Sequence, residues 1–463
     1  MMKGYLTVFL ALTLSALTGF ILFLTYNVVQ NGNRIRFECA VDIGMNAVLS
    51  EYHTQLFEQY GLLYVDASYL GSHPAVENVE ERLRLYVEKN STDILRRHNA
   101  PWGNLRVDEV KITSFETAAA SGGASMRNQA VCYIEDRGTV REEAVMTNQK
   151  EELLSLDMAN PMEEWRSIMD QLAQMELPLI QNDQGEWEEV PLSNPADWVY
   201  GLTGSDILYL AEVDLQRISP VSIDSAALIS HRGVMNGEAS NRTYKRDEDL
   251  FLTYLFEKMG YFGEFREESI LCCQLEYVAE GKDSDLENME AAAERILRWR
   301  FADNVRLALA DGSLRAKAGE AANELLAVQL KNEFEALVTE SILYACAFLE
   351  SVGDLRALYG YERVPLGKTS HQMSVDQVLN GNIYSCSGSA GLSYSQYLAG
   401  MLVLMDEEQL NLRAMDIMEM DIRFRGGNAG FCMDWCIERY EASITAGGNV
   451  ASSMQLRRRY GYF

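Results

Sequence analysis

Leu366-Gly367-Lys368-Thr369 carries the Gly-Lys-Thr of a phosphate-binding loop, in which free backbone N–H groups cradle phosphate oxygens and the lysine neutralises them. The glycine such a loop needs five positions before Gly367 is Glu362, and Pro365 has no N–H to offer. Ser387-Gly388-Ser389-Ala390-Gly391 presents serine hydroxyls on a small-residue loop, but Ser387 stands where the first glycine of a nucleophile elbow belongs. His371, the nearest histidine, has no evident acidic orienter in its own loop. Asp283, Asp285 and Glu287 alternate as calcium ligands do, yet the later ligands are missing. Ser284 and Glu287 read better as a capping box opening a helix from Asn288 to Leu309. Cys432 and Cys436 are one helical turn apart, half a metal site with no second pair beside it. Acid pairs such as Glu188-Glu189 and Glu267-Glu268 read as solvated faces. No catalytic, cofactor-binding or metal-ligating set emerges, so the expectation is a protein that is not an enzyme and carries no cofactor.

The composition sets the frame for these residues. The chain has 463 residues, 48% hydrophobic and 23% charged, enough apolar material for a sizeable core. Its 68 acids against 40 bases give a net charge of −28, which repels phosphate backbones and excludes nucleic acid as a partner unless a basic patch is concentrated. The dense basic run is Arg457-Arg458-Arg459, read as a solvated flank. Eight cysteines lie mostly in apolar surroundings and read as buried thiols.

The strongest signal is N-terminal. From Tyr5 to Val29 no residue is charged, a longer run than the roughly 20 apolar positions a helix needs to cross a bilayer. It is also longer than the hydrophobic part of a cleaved signal peptide, so an uncleaved single span is expected. Lys3 before the span and Arg34 and Arg36 after it nearly balance, leaving orientation open. Beyond the span, Ile35, Cys39, Ile43, Ala47, Val48, Tyr52, Leu56 and Tyr60 recur mostly four apart, and no proline interrupts Tyr5 to Tyr60. The pattern predicts one long helix, its second half packing on a globular part and stopping at Gly61.

The remainder alternates irregularly between helical and strand patterns. It predicts a helix-dominated α+β fold in which this long transmembrane-plus-amphipathic helix is followed by a globular part. The expected divisions are 1–30 for leader and transmembrane helix, 31–66 for its amphipathic extension, 67–206 for a first α+β region and 207–463 for a second, helix-rich one. Within the first, 148–206 holds half of the prolines and reads as an exposed segment. Expected elements include a helix over Glu77–Arg97, strands over Val107–Phe115, Ile207–Leu215, Ile270–Val278 and Gln455–Phe463, and helices over Asp247–Gly260, Ala321–Val338, Ser341–Leu358 and Tyr394–Met405. Asn128–Val145 reads as a helix weakened by Gly138, and Phe431–Ile444 fits strand and helix equally.

Several of these motifs resemble an uncharacterised family of clostridial membrane proteins associated with tight-adherence (Flp-type) pilus loci and similar to TadE/TadG-like minor pseudopilins. They are Gly4-Tyr5-Leu6-Thr7-Val8-Phe9-Leu10, Cys39-Ala40-Val41-Asp42, Glu51-Tyr52 with Tyr60-Gly61-Leu62-Leu63, Leu275 to Asp285, Val364-Pro365-Leu366 and Gly391-Leu392-Ser393-Tyr394. The resemblance implies a structural or accessory component of a pilus-like or secretion assembly, with an extracytoplasmic body and with the lipid bilayer and other envelope proteins as partners. A prepilin peptidase would cut between Gly4 and Tyr5. Phe9, however, stands where processed pilins place a glutamate, and a permanently anchored component fits better. A surface-displayed adhesion module and an anchored hydrolase are the other readings.

Overall fold

The computed structural model describes residues 2–71, 73–96, 106–175, 179–181, 184–189, 194–266, 269–325, 332–383, 390–447 and 453–462. Among them the chain is helix-dominated α+β. The helices are α1 (Met2–Leu49), α2 (Thr54–Tyr60), α3 (Val76–Arg96), α4 (Ala120–Arg137), α5 (Lys150–Met158), α6 (Pro161–Gln174), α7 (Ala196–Leu202), α8 (Ile207–Leu210), α9 (Ile229–Arg232), α10 (Glu248–Lys258), α11 (Gln274–Glu280), α12 (Asp285–Ala310), α13 (Gly312–Leu325), α14 (Asn332–Tyr359), α15 (Val375–Asn380), α16 (Tyr394–Leu404) and α17 (Glu407–Gly426). The strands are β1 (Val65–Asp66), β2 (Arg106–Thr117), β3 (Leu179–Gln181), β4 (Trp187–Glu189), β5 (Cys436–Gly447) and β6 (Met454–Gly461). Two compact units interleave along the chain. One comprises Met1–Tyr133, Leu228–Arg246 and Met415–Phe463; the other comprises Ile134–Ala227 and Asp247–Ala414.

The first unit is built on an antiparallel sheet with β5 at its centre. β2 pairs along one side of β5, and β6 and the two residues of β1 pair along the other. Tyr440, Ala442, Ile444 and Ala446 of β5 alternate inward, the period-2 pattern of a strand with one covered face. Their cover includes α1 and α3: Phe37, Ala40, Val41, Met45 and Val48 of α1, with Val79, Leu83 and Val87 of α3, share one core with the sheet. The Tyr440 hydroxyl donates to the Met45 carbonyl at 3.1 Å, tying strand to helix.

The buried face of α1 is only partly the one expected. Ile35 and Ile43 are 62% and 47% exposed and Cys39 is exposed as well, while Phe37, Ala40, Val41, Met45 and Val48 point inward. The stretch carries two overlapping apolar ladders, and the sheet takes the one that contains Phe37, Val41 and Met45. The expected single helix to Tyr60 also ends earlier, at Leu49. A turn over 50–53 follows, and the His53 ring accepts from Leu56 N at 3.2 Å to start α2. α2 stops at Gly61, in the left-handed region at φ 72°, with the Tyr133 ring where a Cβ would lie.

β6, where a strand is expected, carries Arg457, Arg458 and Arg459, and their side chains remain largely solvated. Arg457 pairs with Glu441, Arg459 with Glu116 at 3.0 Å and Arg458 with Asp42 at 3.5 Å. Charged residues on an outer strand also discourage pairing with another chain.

The second unit is a helical core around α12 and α14. Trp165 of α6 is fully buried against Phe301 of α12 and Phe348 of α14, with ring centroids 5.8 and 5.7 Å apart. Among the described residues of 148–206 the chain forms α5, α6, α7 and the short pair β3 and β4; Leu153, Ile168, Leu172, Ala196 and Val199 are buried, and Gln184 to Trp187 are exposed. Two expected strands are helical: Ile207–Leu215 holds α8 and the start of a 3-10 turn, and Ile270–Val278 holds most of α11. Both are short apolar runs, in which a buried helix and a buried strand look alike. The helix expected over Asn128–Val145 starts earlier and ends at Arg137, with Gly138 at φ 67° beyond it. Ser284 caps α12 by accepting from Glu287 N at 3.2 Å. Asp285 is buried with its oxygens on Cys272 N and Cys273 N, so its carboxylate shapes a turn and does not face a calcium loop.

Candidate functional site

From Tyr5 to Val28 every residue of α1 except the half-buried Thr13 is exposed, although an 18-residue window of this helix reaches a mean hydropathy of 2.2. An apolar surface of this length in water would be costly. Its polar side chains turn back on their own helix. Thr13 donates to the Phe9 carbonyl at 3.0 Å, Thr18 to Leu14 at 2.9 Å, Thr25 to Ile21 at 2.8 Å, and the Asn27 amide to Phe23 at 2.8 Å. Such bonds satisfy donors where no water is at hand, as a helix in lipid requires. Gly4 and Tyr5 lie in the opening turns of α1, with Tyr5 81% exposed. Phe9, one turn on, faces outward with no carboxylate near it on the helix. Among the described residues one other helix is long and apolar enough to span a bilayer, Phe334–Tyr359, and it is mostly buried.

The first unit holds a buried ionic cluster that no local motif announces. Arg232 ends α9, Glu419 lies on α17, and Asp434 sits in the 3-10 turn before β5. Glu419 and Asp434 are both fully buried. Glu419 accepts from Arg232 and Met433 N at 2.8 Å through one oxygen and from Arg423 at 2.9 Å through the other. The Cys432 thiol lies 3.3 Å from Arg423, and one ligand atom each of Glu419, Cys432 and Asp434 falls within 4.8 Å of the others. Two carboxylates and a thiol at that spacing are a donor set for a divalent cation. Here two guanidinium groups supply the positive charge, and burial pushes the Cys432 thiol up, away from the thiolate that ligation needs. Cys436 does not share a helical turn with Cys432. It opens β5 and its thiol points to the Cys432 carbonyl at 3.5 Å.

The second unit buries a larger network. Arg300 is fully buried, with Nε on Asp354 at 3.0 Å, Nη2 on Asp303 at 3.0 Å and Nη1 on the Leu366 carbonyl at 2.6 Å. Asn304 donates to Asp354 and to Ser351. Lys368 of the Gly-Lys-Thr sequence turns inward, its ammonium 2.8 Å from Glu350 and 2.5 Å from Asp354. A lysine so engaged is not presented to a phosphate.

Among the described residues no hydrolytic set assembles. His371 does have an acidic partner, Asp311, at 3.1 Å through Nε2, while its Nδ1 accepts from Met373 N at 3.2 Å. Both ring nitrogens are thus committed and neither is left to act as a base. Ser387 and Ser389 lie outside the described residues. Ser230, His231 and Asp416 come together, but the acid accepts from the serine and the histidine lies on the serine's other side, 2.8 Å away. A triad needs the acid on the histidine.

Residues 185–448, more than half of the chain, match a family of unknown function. The chain belongs to DUF5702. The DUF5702 match takes in both buried ionic clusters and the central strand β5, and leaves out α1. No curated protein and no solved structure matches the chain.

Proposed function

We propose that this DUF5702 protein is a membrane-anchored, non-enzymatic structural or accessory component of a tight-adherence pilus-like or secretion assembly at the cell envelope, with its body outside the cytoplasm. The reading rests on α1. One uninterrupted helix carries an exposed, uncharged stretch with internally bonded polar side chains, and then a half that is built into the sheet of the first unit. A helix shared in this way fixes the body to the bilayer with little freedom at the junction, which suits a scaffold more than a tethered enzyme. The resemblance of the N-terminal and later motifs to minor pseudopilin-like proteins supports the choice of assembly, and Phe9 in place of glutamate favours an anchor that stays in the membrane.

Protease shaving tests the topology. Intact cells and wall-less cells are treated with protease and the protein's size is followed. Clipping of the body from outside is expected, and a body still protected on wall-less cells overturns the reading. Isolation of the full chain from membranes in mild detergent tests the assembly. Co-isolation with the pilus machinery's platform proteins is expected, and purification without any envelope protein counts against it.

A further inference from the structure

Lys368, Asp354 and Glu350 are 8%, 0% and 3% exposed, and their functional atoms meet within one small volume. The Lys368 Nζ lies 2.5 Å from Asp354 Oδ1 and 2.8 Å from Glu350 Oε1. The second oxygen of Asp354, Oδ2, accepts from Arg300 Nε at 3.0 Å and from Asn304 Nδ2 at 3.0 Å. An amine, a carboxyl carbon and a second carboxylate in reach of the amine are the parts an acyl transfer needs. Two fixed donors on one carboxyl oxygen are how an oxyanion is stabilised. The reacting groups are held in contact, so no encounter has to be arranged.

We propose that Lys368 and Asp354 condense to an intramolecular isopeptide bond, with Glu350 carrying protons between them. Glu350 takes a proton from the ammonium, and the freed amine attacks Cγ of Asp354. The negative charge of the tetrahedral intermediate collects on Oδ2, against Arg300 and Asn304. Two protons from Nζ pass through Glu350 to Oδ1, the Cγ–Oδ1 bond breaks, and water leaves. Ammonium plus carboxylate become amide plus water, nothing is oxidised or reduced, and Glu350 ends as it began.

Burial works against the Lys368 ammonium, and Asp354 and Glu350 more than offset it, so the resting state is the ion pair and proton transfer to Glu350 must come before attack. Condensation removes two charges from a desolvated site, which is favourable, and a dry interior opposes hydrolysis. The neighbours remain satisfied: Arg300 keeps Asp303 at 3.0 Å, and Glu350 keeps Gln372 N at 3.2 Å. The bond would tie the loop that carries Lys368, between α14 and α15, onto α14.

Intact-mass measurement of the full chain, purified in detergent and held folded at neutral pH, reads the reaction directly. The expected mass is that of the sequence less one water, with fragmentation placing the loss in a branched peptide joining Asp354 to Lys368. The Glu350→Gln variant keeps the shape of the site but cannot carry the proton, and is expected at its own full sequence mass. A wild-type protein at full sequence mass, or a water loss that maps to any other residue, overturns the proposal. A Glu350→Gln variant that still forms the Asp354–Lys368 bond overturns the assigned role of Glu350.

Discussion

Arg232 grips Asp434 with both ends of its guanidinium, Nη1 to Oδ2 and Nη2 to Oδ1, each at 2.9 Å. The planar fork matches the carboxylate, and the same Nη2 also reaches Glu419 at 2.8 Å. One side chain thus joins three stretches of chain that are far apart in sequence. Replacing Arg232 by alanine leaves two buried carboxylates with only Arg423 to balance them. The expected loss is about 3–5 kcal/mol, the usual cost of breaking a buried pair from one side. Arg232→Lys, which cannot serve two oxygens in a plane and a third acid as well, should lose a smaller part. Melting curves of the three proteins in one detergent check this, and equal midpoints would refute it.

Gly61 offers a sharper local test. It stops α2 with φ at 72°, and an added Cβ would lie 2.4 Å from the Tyr133 ring. Gly61→Ala therefore incurs about 1–2 kcal/mol of left-handed strain and displaces a ring as well. Gly138, also at positive φ but with open space around it, should tolerate alanine for the strain alone. Gly61→Ala should then melt lower than Gly138→Ala; the reverse order would show that the ring contact does not matter.

The stop at Gly61, the cap at Ser284 and the strand near Val107–Phe115 were legible because each depends on residues a few positions apart. α1 was legible as a helix but not in its orientation, since Ile35-Cys39-Ile43 and Phe37-Val41-Met45 are both apolar ladders and only the sheet chooses between them. That sheet cannot be foreseen locally: β2 and β5 are joined by pairs such as Phe115 with Tyr440, across most of the chain. The buried clusters were illegible for a similar reason. Arg300 and Lys368 look like surface charges until Asp354, 54 and 14 residues away, is brought beside them.

If α1 lies in lipid, charge in its middle should release it. Leu14 and Leu17 are exposed on the apolar stretch, away from the sheet that the later part of α1 covers. Arginine at the centre of a span costs about 2.5–3.5 kcal/mol per residue on insertion scales. The double variant Leu14→Arg, Leu17→Arg should move from the alkali-resistant membrane pellet to the soluble or aggregated fraction. Leu14→Ile, Leu17→Ile should stay in the pellet. Retention of the arginine variant in the pellet would mean that something other than this stretch holds the protein there.

Glu276 gives the second unit a dependence on pH. Its carboxyl is fully buried. Oε1 accepts from Phe262 N at 2.8 Å and from the Tyr394 hydroxyl at 2.9 Å, and Oε2 has no hydrogen-bond partner among the described residues. Burial pushes the group up to about 7, with Asp285 adding to the effect and the hydrogen bonds opposing it. The charged and titratable neighbours are Asp285, Tyr359, Tyr394 and Cys273, none of them a cation. Below the ordinary carboxylate value of 4.5 the folded and unfolded chains are both protonated, and Glu276 makes no difference. Between there and about 7 the unfolded chain gives up the proton and the folded one keeps it, so stability falls as pH rises. Above that the full penalty applies, on the order of 3 kcal/mol for a shift of this size. Glu276→Gln keeps the acceptor for Phe262 and Tyr394 and cannot ionise. Its urea midpoint should match the wild type near pH 4.5 and exceed it at pH 8. A variant that is less stable than the wild type at pH 8 would show that the ionised carboxylate is accommodated in the fold.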